Sequence, residues 1–184
     1  MRKRMSDFDD FIREQSASLI EEAAGLTLEQ EKQIWIDNLN KLYELVKKSL
    51  QTHINEGNVQ LSFPTIYLTE EQLGTYSVEM AHIKIGRNIV KLEPIGTFLI
   101  GVRGRLDMIG PRGSACFVIV PPESRKPRVR VTVTRPGDPS PPPEERGTPP
   151  EKWVWKIQTS PPHVGYIELD EKNFREALMG VVNG

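Results

Sequence analysis

The sequence predicts an α+β fold, in which an N-terminal helical hairpin packs on an antiparallel β-sheet and a short C-terminal helix closes the chain. Three observations carry this reading. Apolar residues recur at helical spacing as far as about Ile54. From Val59 onward the period drops to two. The strands marked by that period are short and joined by tight Gly- and Pro-containing turns, which is the pattern of a meander rather than of βαβ units. Glycines in the strand region and a change of parity near His82 leave the sheet free to curl into a half-barrel. At 184 residues the chain is expected to be one folded unit, with residues 1–57 as the helical hairpin and 58–184 as the sheet region.

Ser6 is expected to cap a first helix running to about Ala24. Phe8, Phe11, Ile12, Leu19 and Ala23 fall near helical spacing, and Asp7, Asp9 and Asp10 sit in the first turn, where the helix dipole favours anions. Gly25 supplies a stop. Thr27 opens a second helix, with Gln30 in the capping-box position three residues on. Along it Trp35, Leu39, Leu42, Val46 and Leu50 make one stripe, with Ile34 and Tyr43 beside it, and Gly57 ends the helix after about Ile54. Such a helix spans roughly 40 Å, against ~17–20 Å for a typical strand. The excess predicts that part of the stripe, Trp35, Leu39 and Leu42, is left for another protein or a second copy of this chain.

Val59, Leu61 and Phe63 alternate before Pro64, and Thr69–Leu73 reads as a single helical turn. Tyr76, Val78 and Met80 alternate, then Ile83 and Ile85 take the other parity, which suggests a bulge near His82. Gly86-Arg87-Asn88 reads as a hairpin turn into a strand over 89–93 that Pro94 breaks. Thr97–Ile109 reads as one long strand or a strand pair, Gly110–Gly113 as a turn, and Ser114–Val120 as a central strand.

Twelve of the fifteen prolines lie between Pro121 and Pro162. Within that stretch Val129, Val131 and Val133 alternate with Arg128, Arg130, Thr132 and Thr134 as in a strand. Residues 135–151 lack an apolar face, so they are expected to form a flexible, proline-rich hairpin loop. Trp153, Trp155 and Ile157 share a strand face and read as sheet-packing residues. A last strand, Val164–Leu169, leads to Asp170 as the cap of a closing helix over 171–182 that carries Phe174, Leu178 and Val181.

Composition excludes several classes. The net charge of −1 provides no global field to steer the chain toward nucleic acid or membrane. A single cysteine permits neither an internal disulfide nor a cysteine zinc site. No apolar run reaches the ~18 residues of a membrane span, and Ser6–Asp10 is acidic where a secretory signal would be apolar. These features predict a cytoplasmic protein without membrane association and without a cofactor.

Chemistry-bearing patterns are equally sparse. His53, His82 and His163 are far apart in sequence and show no metal-ligand spacing. Gly113-Ser114-Ala115-Cys116 lacks the second glycine of a nucleophile elbow, and Cys116 sits in an apolar run that disfavours its thiolate. Asp107 has no acid or lysine on the following strand to complete a nuclease site, and Walker and dinucleotide fingerprints are absent. Leu99–Gly104 resembles the IGxxG core of the KH module over six residues, but Gly110-Pro111 stops the helix a KH domain needs next.

What remains is charge polarity. Residues 121–162 carry eight Lys/Arg against five Asp/Glu, and residues 1–60 eight against eleven. Arg125, Lys126, Arg128, Arg130 and Arg135 form a basic cluster able to meet a phosphate backbone, although aromatic residues for base stacking are scarce nearby. The expectation is a non-enzymatic interaction subunit, adaptor or inhibitor-type partner in a cytoplasmic assembly. The alternatives are a nucleic-acid-associated protein using Arg128 and Arg130, and an enzyme whose site is dispersed in sequence.

Overall fold

The computed structural model describes residues 27–97, 102–127 and 148–184. The first predicted helix, Ser6–Ala24, and therefore the helical hairpin, lie outside these residues, as does the predicted strand at 128–134.

Helix α1 (Leu28–Asn55) begins where local chemistry dictates. The Thr27 hydroxyl accepts from the Gln30 backbone N–H at 3.2 Å, and the Gln30 side-chain oxygen accepts from the Thr27 N–H at 2.9 Å. This reciprocal pair satisfies two of the donors that every helix start leaves open. After Asn55 the chain turns through Gly57, at φ +76°, into the sheet.

The strands are β1 (Val59–Ser62), β2 (Thr65–Glu70), β3 (Gly74–Glu79), β4 (Ala81–Ile85), β5 (Asn88–Gly96), β6 (Arg105–Ile109), β7 (Ser114–Val120), β8 (Val154–Gln158) and β9 (Tyr166–Glu168). Seven form one antiparallel sheet in the order β1-β4-β5-β6-β7-β8-β9, and β2 and β3 pair separately. The larger sheet is open, with β1 and β9 as its edges. Helix α2 (Glu171–Asn183), capped by Asp170, closes the described chain as its sequence predicts. The fold class is α+β.

Two strand readings are corrected. Thr69–Leu73 is not a helical turn: Thr69 and Glu70 end β2, and the chain reverses into β3 with Glu70 opposite Gly74. The helix-favouring run Glu70-Glu71-Gln72-Leu73 loses to the pairing of Ile66 and Leu68 with Val78 and Tyr76, since propensity is a weak prior against tertiary packing. Nor is the parity change near His82 a bulge, because at Met80 the chain leaves the small sheet and enters the large one. The irregularity lies instead in β5, which continues through Pro94 and shifts register between Pro94 and Gly96. The turn after β4 has two residues, with Ile85 opposite Asn88 and Gly86 at φ +59°, a conformation glycine adopts without steric cost.

One core lies between the inner face of the large sheet and the two helices. Ile83, Val90, Leu92, Leu106, Met108 and Phe117 from the sheet meet Trp35, Leu42 and Val46 of α1 and Phe174 of α2, all essentially buried. This corrects the predicted docking stripe: Trp35 is 1% exposed, Leu39 2% and Leu42 1%. The length comparison misled because the sheet's width, not a strand's length, is what α1 covers. Asn38 of α1 accepts from the Trp155 indole N–H of β8 at 2.7 Å, while the helix ends beside β1, five strands away in the sheet order. Five spacings are about 24 Å, and the helix from Asn38 to Asn55 is about 26 Å.

The β2–β3 hairpin lies against α1. The Tyr43 hydroxyl donates to the Glu79 carbonyl. The Glu70 carboxylate accepts from the Thr97 N–H and hydroxyl at 2.8 and 2.9 Å and from the Tyr76 hydroxyl. Among the described residues no helix is long and apolar enough to cross a membrane.

Candidate interaction surfaces

Strand alternation decides which side chains face away from the helices. Directly opposed pairs on the outer face are Lys84 with Ile89, His82 with Lys91, Lys91 with Ile109, Glu93 with Asp107, Asp107 with Cys116, Cys116 with Gln158, and Val118 with Lys156. Antiparallel sheets commonly leave such a face to solvent, but the two halves of this one differ.

Over β8 and the end of β7 the outer face is covered. The chain leaving β7 folds back so that the Arg125 carbonyl accepts from the Tyr166 N–H at 2.8 Å, on the edge strand. Beneath it lies Lys156, with 3% of its side chain exposed. Its ammonium donates to the Pro122 and Ser124 carbonyls at 2.6 and 2.9 Å and pairs with Glu168 at 2.7 Å. Three acceptors for three N–H donors make this buried cation a fastener for the returning segment. Val118 is buried beside it.

In the centre, Arg105 makes a two-pronged contact with Asp107 at 2.8 and 2.9 Å. This pairing offsets the repulsion of two carboxylates, Glu93 and Asp107, placed directly opposite each other. Cys116 lies across from Asp107, half-buried. Burial pushes its thiol up to about 11, Arg105 opposes that shift, and Asp107 adds to it. The group is therefore a poor nucleophile at neutral pH.

Over β4, β5 and β6 the outer face is open. Ile89 is 53% exposed and Ile109 40%, and Lys84, Arg87 and Lys91 are exposed around them. Among the described residues none of these three cations makes an ion pair. The side chains beside them on the sheet are Gln60, Ser62, His82 and Ser114, with Glu93 following Lys91 on the same face of β5.

The residues singled out in the sequence fall elsewhere. Trp35, Leu39 and Leu42 are core. Arg125 and Lys126 are exposed on the segment after β7, and Arg128, Arg130 and Arg135 lie outside the described residues. Trp155 is buried against Trp35, with ring centroids 5.9 Å apart. Trp153 donates to the Thr148 carbonyl at 2.8 Å and faces the Arg103 guanidinium, which pairs with Glu31. The end of the predicted flexible loop is ordered: Thr148 bonds Glu123, and Pro150–Lys152 form a 3-10 turn. Gly104 is a packing residue, since a Cβ there would lie 2.5 Å from the Trp35 ring. The three histidines occupy separate environments: His53 is exposed beside Glu56, His82 is on the outer sheet face, and the His163 carbonyl accepts from Thr159. No group of three potential metal-ligating side chains comes together among the described residues.

Sequence reasoning missed the open patch because its members come from two strands and the turn between them, plus a third strand. Only the pairing of β4 with β5 and β5 with β6 makes them neighbours. The available signal was the placement of Ile89 and Ile109 at outward parity. Comparisons with known protein families, characterised proteins and solved structures gave no match to this chain.

Proposed function

We propose that this protein is a non-enzymatic interaction subunit of a cytoplasmic assembly and that it docks its partner on the open outer face over β4, β5 and β6. The observation that carries the reading is the pair of exposed isoleucines, Ile89 and Ile109, held on one sheet face among cations without ion partners among the described residues. Solvated sheet faces normally alternate polar residues at such positions, so apolar groups there favour a covering partner. The original candidates, Trp35, Leu39 and Leu42, are replaced in this role because their area is already removed from water.

The test is position-specific photo-crosslinking in the native cell, with the full chain carrying the photoreactive residue at Ile109 or, as a control, at Asn40 on the exposed side of α1. Discrete protein adducts at Ile109 and none at Asn40 are expected. Equal labelling at both, or none at Ile109, overturns the reading.

A second reading, contact with nucleic acid, draws on Arg125 and Lys126, which are exposed and lead into Arg128, Arg130 and Arg135. Such binding would be electrostatic and steeply salt-dependent. Failure to shift duplex DNA or RNA at about 50 mM salt, where phosphate contacts are strongest, removes it.

A further inference from the structure

We infer that the partner segment taken by the open face is an acidic polypeptide stretch in which carboxylates alternate with apolar side chains. This rests on the docking reading above and deepens it.

The geometry of the patch is a checkerboard. Lys84 stands opposite Ile89 and Lys91 opposite Ile109, while Ile89 and Lys91 share one face of β5 at the two-residue repeat. Opposed side chains on a sheet have Cβ atoms about 5 Å apart and diagonal ones about 7–8 Å. Each isoleucine therefore stands directly across from a lysine, and Ile89 and Lys91 are also neighbours along β5. Arg87 adds a third charge at the turn that joins β4 to β5. Glu93 follows Lys91 on the same face of β5 and marks the end of the cationic stretch; it stands opposite Asp107, whose charge Arg105 meets.

Three chemistries could answer cations on a sheet face, and the isoleucines choose among them. A phosphate backbone would satisfy the lysines but would cover Ile89 and Ile109 with charged oxygens, and the ring beside them, His82, is half-buried. An anionic bilayer would need apolar groups that project beyond the charged ones. Here the isoleucines are shorter than the lysines flanking them, so the charged ends rather than the apolar ones stand furthest from the sheet. An extended segment with carboxylates and apolar side chains at the spacing of its own strand places acid on lysine and apolar group on isoleucine together.

The experiment uses the full chain and a labelled synthetic peptide alternating Glu and Val. The controls are a Lys-Val peptide, a Glu-Gly peptide, a duplex DNA oligonucleotide and vesicles containing phosphatidylserine. The Glu-Val peptide is expected to bind, the Lys-Val peptide not at all, and the Glu-Gly peptide more weakly for want of apolar contact. Lys84→Glu with Lys91→Glu should weaken the Glu-Val peptide about tenfold or more, as should raising salt from about 50 to about 300 mM. Ile109→Ser should weaken it without altering the salt dependence. All three positions are exposed, so an unchanged melting temperature serves to separate lost binding from lost folding. Absence of Glu-Val binding, equal binding of the Lys-Val peptide, or tighter binding of DNA or vesicles overturns the inference. The crosslinking experiment separates this failure from the broader one: adducts at Ile109 that persist in the double Lys→Glu chain mean that the face docks a partner which is not acidic.

Discussion

Two side chains show how the sheet's outer face sets local chemistry. Burial holds the Cys116 thiol up at about 11, against 9.0 ordinarily, with Asp107 opposite adding to the shift and Arg105 opposing it. At pH 8 only about one thiol in a thousand is then ionised, so alkylation by iodoacetamide should be far slower than for an unhindered cysteine and should accelerate toward pH 11. Asp107→Asn removes a carboxylate and frees Arg105, so alkylation should speed up by about tenfold; an unchanged rate would show that the carboxylate does not act on the thiol. Linkage has a definite sign here. A raised thiol pKa stabilises the fold fully below the unfolded value near 9 and loses that contribution as pH rises toward 11. Lys156 is the other case. Lys156→Met leaves two carbonyls without their donor and should cost about 2–4 kcal/mol, read as a lower midpoint in urea, with the segment after β7 cleaved faster by protease. The disfavoured Cys116 thiolate was legible from its apolar run, but its place opposite Asp107 was not, nor was the clasp at Lys156, which in sequence is one lysine in a strand. Their environments come from register, not from neighbours along the chain.

Elements were legible in proportion to how local their causes are. The start of α1 and the cap of α2 follow from a few adjacent residues, Thr27 with Gln30 and Asp170 with Asn173, and both could be placed from sequence. Thr27→Ala should accordingly cost about 1 kcal/mol in thermal or chemical unfolding. The β2–β3 hairpin was half-missed because its tip carries helix-favouring residues and its anchor, Glu70 on Thr97, spans 27 positions. Gly104 shows the same limit from the packing side. It ends the six-residue run that resembles the core of an RNA-binding module, yet the space at its Cα is occupied by Trp35 and Ile119. Gly104→Ala should therefore destabilise by about 1–3 kcal/mol, the range for overpacking a filled core. A neutral result would mean that the Trp35 ring shifts aside at little cost.

At the scale of the whole molecule, the helix stripe is a place where a sequence argument and the folded chain give opposite consequences, and a single substitution separates them. If Trp35, Leu39 and Leu42 formed an interface, truncating Leu39 would weaken association and leave the protomer's unfolding nearly unchanged. In the fold described here Leu39 is 2% exposed, in the same cluster as Trp155 of β8 and Val78 of β3. Leu39→Ala should then cost about 2–5 kcal/mol of protomer stability, the usual loss for a buried leucine. Because the cluster continues without a break from α1 through the sheet to α2, the loss should be global. Tryptophan fluorescence and far-UV circular dichroism should report one coincident transition, moved to lower denaturant. Sedimentation of the folded Leu39→Ala protein at matched concentration should equal that of the unmodified chain. Ile109→Ser, on the open face, should behave in the reverse way, with unfolding within about 0.5 kcal/mol of the original because it touches a solvated position, and with its effect confined to partner capture. A Leu39→Ala chain that unfolds normally but changes its sedimentation would return the interface to α1 and remove it from the sheet.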